Sequence, residues 1–446
     1  MIYEDKLNTS EFFEELINNK KITKDIIIED SGPFIHIEKL YIKRVDTKIY
    51  LEVIGDFDFS EENIKFGEFC ENNKNIVLKK VKSNKRIEIG IEIISYDCIQ
   101  AFLSVDYVKS IDNKNDKETI LIEYVSNMDF LPKERHHYST PVKDTYGAFK
   151  IKLRNINIYP NLYNKNEQFI YYDCILNEKE RRKIKDCISF ILGKPIVYKG
   201  YSTYTKEQKL INFEFVKSSK FNGQKNLYNL TDLEIFYLNE HKFNIFPKKK
   251  SSYPPTKDYL DNFGIIPEKF NEIFCSIYNI YEQYELNEIF WNYWYAESSP
   301  YHSAAVQFGA CLERIQRRYF EINQKQLKEK IIEKQKEIKE KNNLKIGLQK
   351  VRLSIKDKFK ILFDALEIEF NELEEINWKF RDDSAHCNKT MDRDEDLKFI
   401  KSKDLFKTLF NRVILKISGL DIKYVDYHSI SVNEYKSKDL LKGIER

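Results

Sequence analysis

Ile87, Ile89, Ile91 and Ile93 alternate with Glu88, Gly90 and Glu92. That period of two puts one face of a strand in a core and the other in solvent. Similar runs recur through the first half. TILIEYV (119–125) is short and β-branched, Phe149, Ile151 and Leu153 alternate with basic residues, and Ile211, Phe213 and Phe215 alternate with Asn212 and Glu214. Turn formers such as Gly55-Asp56 and Asp112-Asn113 separate them. One stretch breaks the pattern. In KERRKIKDCISFIL (179–192), Ile184, Ile188 and Ile191 recur at helical spacing, which predicts a helix inside the β-rich half. Residues 1–245 therefore read as a mostly antiparallel β domain with a few helices.

The pattern then changes. PKKKSSYPPT (247–256) holds three prolines and a lysine run, which predicts a linker or extended surface segment over 246–262. From 263 to 446 the apolar residues follow a helical period. Pro267 opens a helix carrying Phe270, Ile273, Phe274, Ile277 and Ile280. An aromatic helix follows with Phe290, Trp291, Tyr293 and Trp294, and then one that opens at Ser299-Pro300 with Ala304, Phe308, Cys311, Leu312 and Ile315 on one face. Leu362, Leu366, Ile368, Leu373 and Ile376 read as a further helix face. Between Ile332 and Ile346 the only large apolar residues are Ile338 and Leu344, so 321–350 reads as an exposed, charged helical insertion. The fold class is α+β: a mostly antiparallel β domain followed by an all-α bundle.

The chain has 446 residues, 42% hydrophobic and 33% charged. That is apolar enough for a real core, with more solvated surface than usual. Net charge is only +3, which argues against a general nucleic-acid sponge and makes any basic surface local. Residues 311–360 hold 16 Lys plus Arg against 7 Asp plus Glu, a net of +9, and residues 361–400 hold 5 against 12, a net of −7. Two readings stay open: solvated helix faces that attract each other across a bundle, or a basic stretch that steers an RNA backbone. The seven cysteines are scattered, with no C-x-x-C and no Cys/His cluster. Reduced thiols in a cytoplasmic protein are expected, with no metal and no cofactor. MIYEDKLNTS does not read as an export signal, and no apolar run is long enough to span a membrane.

The candidate chemistry lies in INWKFRDDSAHCNKT (376–390). Arg381 offers a permanently charged planar fork that matches phosphate oxygens. His386 titrates near neutrality and can take or give a proton. Together they suffice for metal-free RNA cleavage, the imidazole working on the ribose 2′-OH or the 5′-leaving oxygen and the guanidinium on the phosphorus oxygens. Residues five apart on one helix point about 140° apart. The pair therefore converges more easily if a helix breaks or begins between them, and Asp382, Asp383 and Ser384 are N-cap residue types. The alternative assignment is a surface Arg381 paired with Asp382 or Asp383, and His386 capping a helix.

RDDSAHC resembles the R-x4-6-H motif of the HEPN superfamily, in particular the HEPN domain of ApeA-type anti-phage proteins. FGACLERIQRRYF resembles that family's Leu-Glu-bearing helix, and the β-rich half before a helical half fits its layout. The specific resemblance spans roughly 285–420. It implies a metal-independent endoribonuclease in an anti-phage or toxin-like system, with Arg381 and His386 as the catalytic pair. It also implies an RNA substrate and a homodimer built on the C-terminal helices, so that two copies of the pair share one cleft. The β-rich half would be a sensor or regulatory domain open to a phage-derived trigger. Glu313 occupies the place of the family helix's acidic residue, where it would orient His386 or Arg381, or else pair with Arg317 one turn on. Asp382 and Ser384 would support the pair. Arg314, Arg317 and Arg318 are the RNA-contact candidates, with solvated helix charges as the alternative. Two departures from the family pattern are Asp382, where Asn is common, and Cys387, where a small residue is common. Asp382 brings negative charge toward the expected phosphate and leaves open a catalytically silent RNA- or protein-binding module.

Overall fold

The computed structural model describes the backbone of residues 21–28, 35–45, 48–54, 75–80, 86–96, 100–110, 118–126, 137–139, 144–146, 150–164, 167–207, 210–216, 255–261, 264–299, 301–374, 393–431, 434–439 and 442. The chain divides into two compact units: residues 1–178 with 196–235, and residues 179–195 with 236–446.

The described strands of the first unit all pair antiparallel. Its first six strands are β1 (Lys21–Ile28), β2 (Ile35–Val45), β3 (Lys48–Ile54), β4 (Asn75–Lys80), β5 (Arg86–Tyr96) and β6 (Gln100–Ser110). Their pairings run β6-β3-β2-β1-β4-β5 and return to β6, closing a ring. Closure leaves no unpaired edge within the ring. The alternating isoleucines lie on β5, but the register shifts between Gly90 and Ile91 and again between Ile91 and Ile93. Glycine in a strand marks such a bulge, and each bulge interrupts the strict period of two.

The sheet continues through β7 (Ile120–Ser126), β10 (Ile151–Leu153), β11 (Ile156–Asn164), β12 (Glu167–Tyr172), β13 (Val197–Tyr204) and β14 (Leu210–Val216), in the order β10-β11-β12-β7-β13-β14-β6. A separate two-stranded ladder joins β8 (His137–Ser139) to β9 (Asp144–Tyr146). One edge of β6 is shared: Gln100–Val105 pairs with β3, and Tyr107–Lys109 pairs with β14. Within β7, Leu121, Glu123 and Val125 are all buried. The Glu123 carboxylate accepts a 2.7 Å bond from the Tyr172 hydroxyl on β12, the partner a buried carboxylate needs.

The second unit holds seven described helices. They are α1 (Glu178–Leu192), α2 (Pro267–Ile280), α3 (Leu286–Ser298), α4 (Tyr301–Ile322), α5 (Gln324–Lys341), α6 (Ile355–Ala365) and α7 (Arg393–Ile417). The helical spacing in 179–192 is real, but that helix belongs with the bundle although strands flank it in sequence. Phe190 stacks on Phe290 with centroids 4.9 Å apart and meets Tyr293 and Phe410 edge-on. The buried carboxylate of Asp186 accepts the Tyr281 hydroxyl. At the end of α1, Gly193 takes φ +68° while Lys194 N–H donates to Ser189 O and Gly193 N–H to Phe190 O. That left-handed stop is the one glycine adopts at least cost.

The predicted faces of α2 and α4 are buried at Phe270, Ile273, Phe274 and Ile277, and at Ala304, Phe308, Cys311, Leu312 and Ile315. The far end of the Pro-rich segment is less exposed than a linker would be. Thr256 and Tyr259 are buried, the Tyr259 hydroxyl donates to Ile191 O at 2.9 Å, and Val425 N–H donates to Pro255 O. Two small ladders complete the unit: β15 (Leu260–Asp261) with β16 (Gly264–Ile265), and β17 (Lys423–Ser431) with β18 (Glu434–Asp439). Among the described residues no helix is long and apolar enough to cross a membrane.

Candidate functional site

Helix α4 sorts its basic residues by face. Arg314 and Arg318 lie one turn apart and reach the corner between α2 and α3. There the Arg314 guanidinium pairs with Glu288 and, at 3.7 Å, with Glu285. Arg318 pairs with Glu321 at 2.9 Å, approaches Glu285 at 3.7 Å and donates to Gln283 O. Both charges are thus answered by protein carboxylates. Arg317, on the intervening face, is exposed and has no ion pair among the described residues. It opens into a cleft of about 900 Å³ between α4, α5 and the start of α6. Glu313 and Arg314 also line this cleft, so three of the four residues selected on α4 share one concavity.

The other wall is the charged insertion. Helix α5 buries only Leu327, as its polar pattern predicts. It is held by the Gln335 side chain, which donates to Val351 O at 2.9 Å, and by Lys330, which pairs with Asp364. That pair joins the basic stretch to the acidic one, so the attraction of oppositely charged faces operates at this point. The start of α6 is set by a capping box. Ser354 Oγ accepts Asp357 N–H at 3.1 Å, and the Asp357 carboxylate accepts Ser354 N–H at 3.1 Å. This fixes Lys358 at the cleft.

Helix α6 ends sooner than its apolar spacing predicts. It stops at Ala365, and Glu367 turns the chain at φ +56°. Leu366 and Ile368 are buried but lie outside the helix. A new helical turn begins after Asn371, whose side chain accepts Glu374 N–H at 3.1 Å while its own N–H donates to Glu374 Oε2 at 2.7 Å. The other oxygen, Glu374 Oε1, accepts Arg412 Nη1 from α7 at 3.0 Å, and both side chains are fully buried. The same Arg412 Nη1 donates to Glu369 O at 2.8 Å, and its guanidinium lies 5.4 Å from the Tyr424 ring. Desolvation is the largest influence on Arg412 and lowers its pKa, and the carboxylate of Glu374 acts against it.

Arg381, Asp382, Ser384 and His386 lie outside the described residues, between Glu374 and Arg393. Comparison with protein-family models, with curated proteins and with solved structures gives no match. Among the described residues no three His, Cys, Asp or Glu side chains are grouped to hold a metal ion.

The sequence reading passed over Glu374, Arg412, Lys328 and Lys358. Two of these carried a signal. Asn371-Glu-Leu-Glu374 is a capping-box sequence. Arg412 interrupts an apolar run of Leu409, Phe410, Val413 and Ile414, and a charge inside an apolar face needs a buried partner. Lys328 and Lys358 look like any other helix-surface lysine.

Proposed function

We propose that the chain is a metal-independent endoribonuclease of HEPN type, cytoplasmic and serving anti-phage or toxin-like defence. The observation that carries this reading is RDDSAHC: one guanidinium and one imidazole separated by four residues in the helical half of the chain. His386 takes the 2′-OH proton as it attacks the phosphorus, or returns a proton to the departing 5′ oxygen. Arg381 balances the charge that builds on the phosphorus oxygens. A homodimer supplies the second proton-transfer group from the symmetry-related pair. The β-rich unit then restrains the nuclease until a trigger arrives.

The test is cleavage of a labelled RNA in the presence of a chelator. Cleavage persists with the chelator, while His386→Ala and Arg381→Ala reduce it by about two orders of magnitude or more. If chelation stops the reaction and His386→Ala does not, the mechanism fails. Asp382 favours a second reading, a silent RNA-binding module. That protein would shift RNA in a gel and leave its length unchanged.

A further inference from the structure

The cleft between α4, α5 and α6 has a composition suited to one kind of ligand. Phe320, Ile331, Ile332 and Ile355 supply apolar wall, and Ile355 stands 42% exposed at the opening. Arg317, Lys328 and Lys358 supply positive charge from three different helices. None of the three has an ion pair among the described residues. Nearby cations do: Arg314, Arg318, Lys330 and Lys334 are each matched to a carboxylate. Arg317, Lys328 and Lys358 all line one concavity.

The only carboxylates on the lining are Glu313 and Glu321, and Glu321 is engaged by Arg318. Two exposed amides, Gln324 and Gln349, add hydrogen-bonding groups that a purely aliphatic anion would not use. The volume falls within the range of small-molecule sites. We infer that this cleft binds a nucleoside polyphosphate, with its phosphates on Arg317, Lys328 and Lys358 and its base against Phe320 and the isoleucines. A single phosphate or carboxylate would leave most of the three cations unmatched, and a fatty chain would leave the amides idle. The phosphates are recognised by side chains here, because the chain has no glycine-rich phosphate loop. The site does not depend on Arg381 and His386 cutting RNA.

The test is fluorescence titration of the full-length protein with a fluorescent ATP analogue, competed by unlabelled ATP. Saturable one-to-one binding is expected. Arg317→Ala, Lys328→Ala and Lys358→Ala each weaken it about tenfold, equal to ~1.4 kcal/mol. Ile355→Asp, on an exposed position, weakens it at least as much by adding negative charge at the opening. Lys336→Ala, a charge-matched change on α5 away from the cleft, leaves the affinity within about twofold of wild type. His386→Ala also binds normally, so loss of RNA cleavage and loss of this site are read separately. No saturable binding, or binding unaffected by the triple Arg317/Lys328/Lys358 variant, overturns the proposal. So does a site that takes an RNA oligonucleotide and ignores ATP.

Discussion

Glu374→Ala is the most informative single perturbation of the helical unit. The Glu374–Arg412 pair is fully buried at 3.0 Å, so removing the carboxylate leaves an uncompensated guanidinium away from water. Breaking such a pair costs about 3–5 kcal/mol, and losing the capping box at Asn371 adds about 1 kcal/mol. Glu374→Gln keeps the shape and some hydrogen bonding but not the charge, and falls between wild type and Glu374→Ala. Replacing both partners, as Glu374→Leu with Arg412→Met, removes the buried charge altogether. It costs far less than the two single changes added together. The assay is urea unfolding followed by tryptophan fluorescence. Trp291, Trp294 and Trp378 are the only tryptophans and all belong to the second unit, so the signal isolates the bundle. A Glu374→Ala cost under about 1 kcal/mol, the range of ordinary surface changes, refutes the reasoning. A double variant as unstable as the sum of the singles refutes it too.

Three further outcomes follow from the same geometry. Glu297 and Lys407 form a second buried pair, with Lys403 3.7 Å from the carboxylate and Lys407 Nζ 4.3 Å from the Tyr427 ring. Lys407→Met should therefore cost less than Glu297→Ala in the same unfolding assay, because Lys403 remains to answer Glu297. Burial pushes the Cys311 thiol up to about 12, so it should resist a thiol reagent at mildly alkaline pH until the bundle unfolds. The folded-state value lies above the unfolded one. The stability tied to a neutral Cys311 is therefore intact below about pH 9 and is lost as pH climbs toward the folded value, visible as a falling urea midpoint. Ser354→Ala removes one half of the α6 capping box and should lower stability by about 1 kcal/mol, with the change read by calorimetry.

Much of the fold could be read from apolar spacing alone. The helices beginning near Pro267 and Pro300 bury the residues their period selects apart from the half-buried Ile280, because tertiary packing and local pattern agree there. Two features could not be read so directly. The bulges at Gly90 and beside Ile91 arise where β5 pairs with β6, and the alternation over 87–93 does not show them. The end of α6 at Ala365 is set by a left-handed turn at Glu367, a residue with no special preference for that conformation. Helix α1 was legible as a helix, but its partners were not: nothing local says that Phe190 will meet Phe290, 100 positions later. At the cleft, residue type pointed to Arg317, yet what distinguishes it from Arg314 and Arg318 is that no carboxylate among the described residues pairs with it. That is a property of three-dimensional neighbours.

Strand β6 bears on how the β unit can change. Its first half closes the six-strand ring and its second half begins the run that continues through β14. One uninterrupted backbone is thus splice and seam together. A one-residue slip there would turn side chains over in both assemblies at once, so neither can re-register while the other holds still. A stimulus that loosened the ring would be felt, through a single stretch of peptide, by the open sheet beyond it.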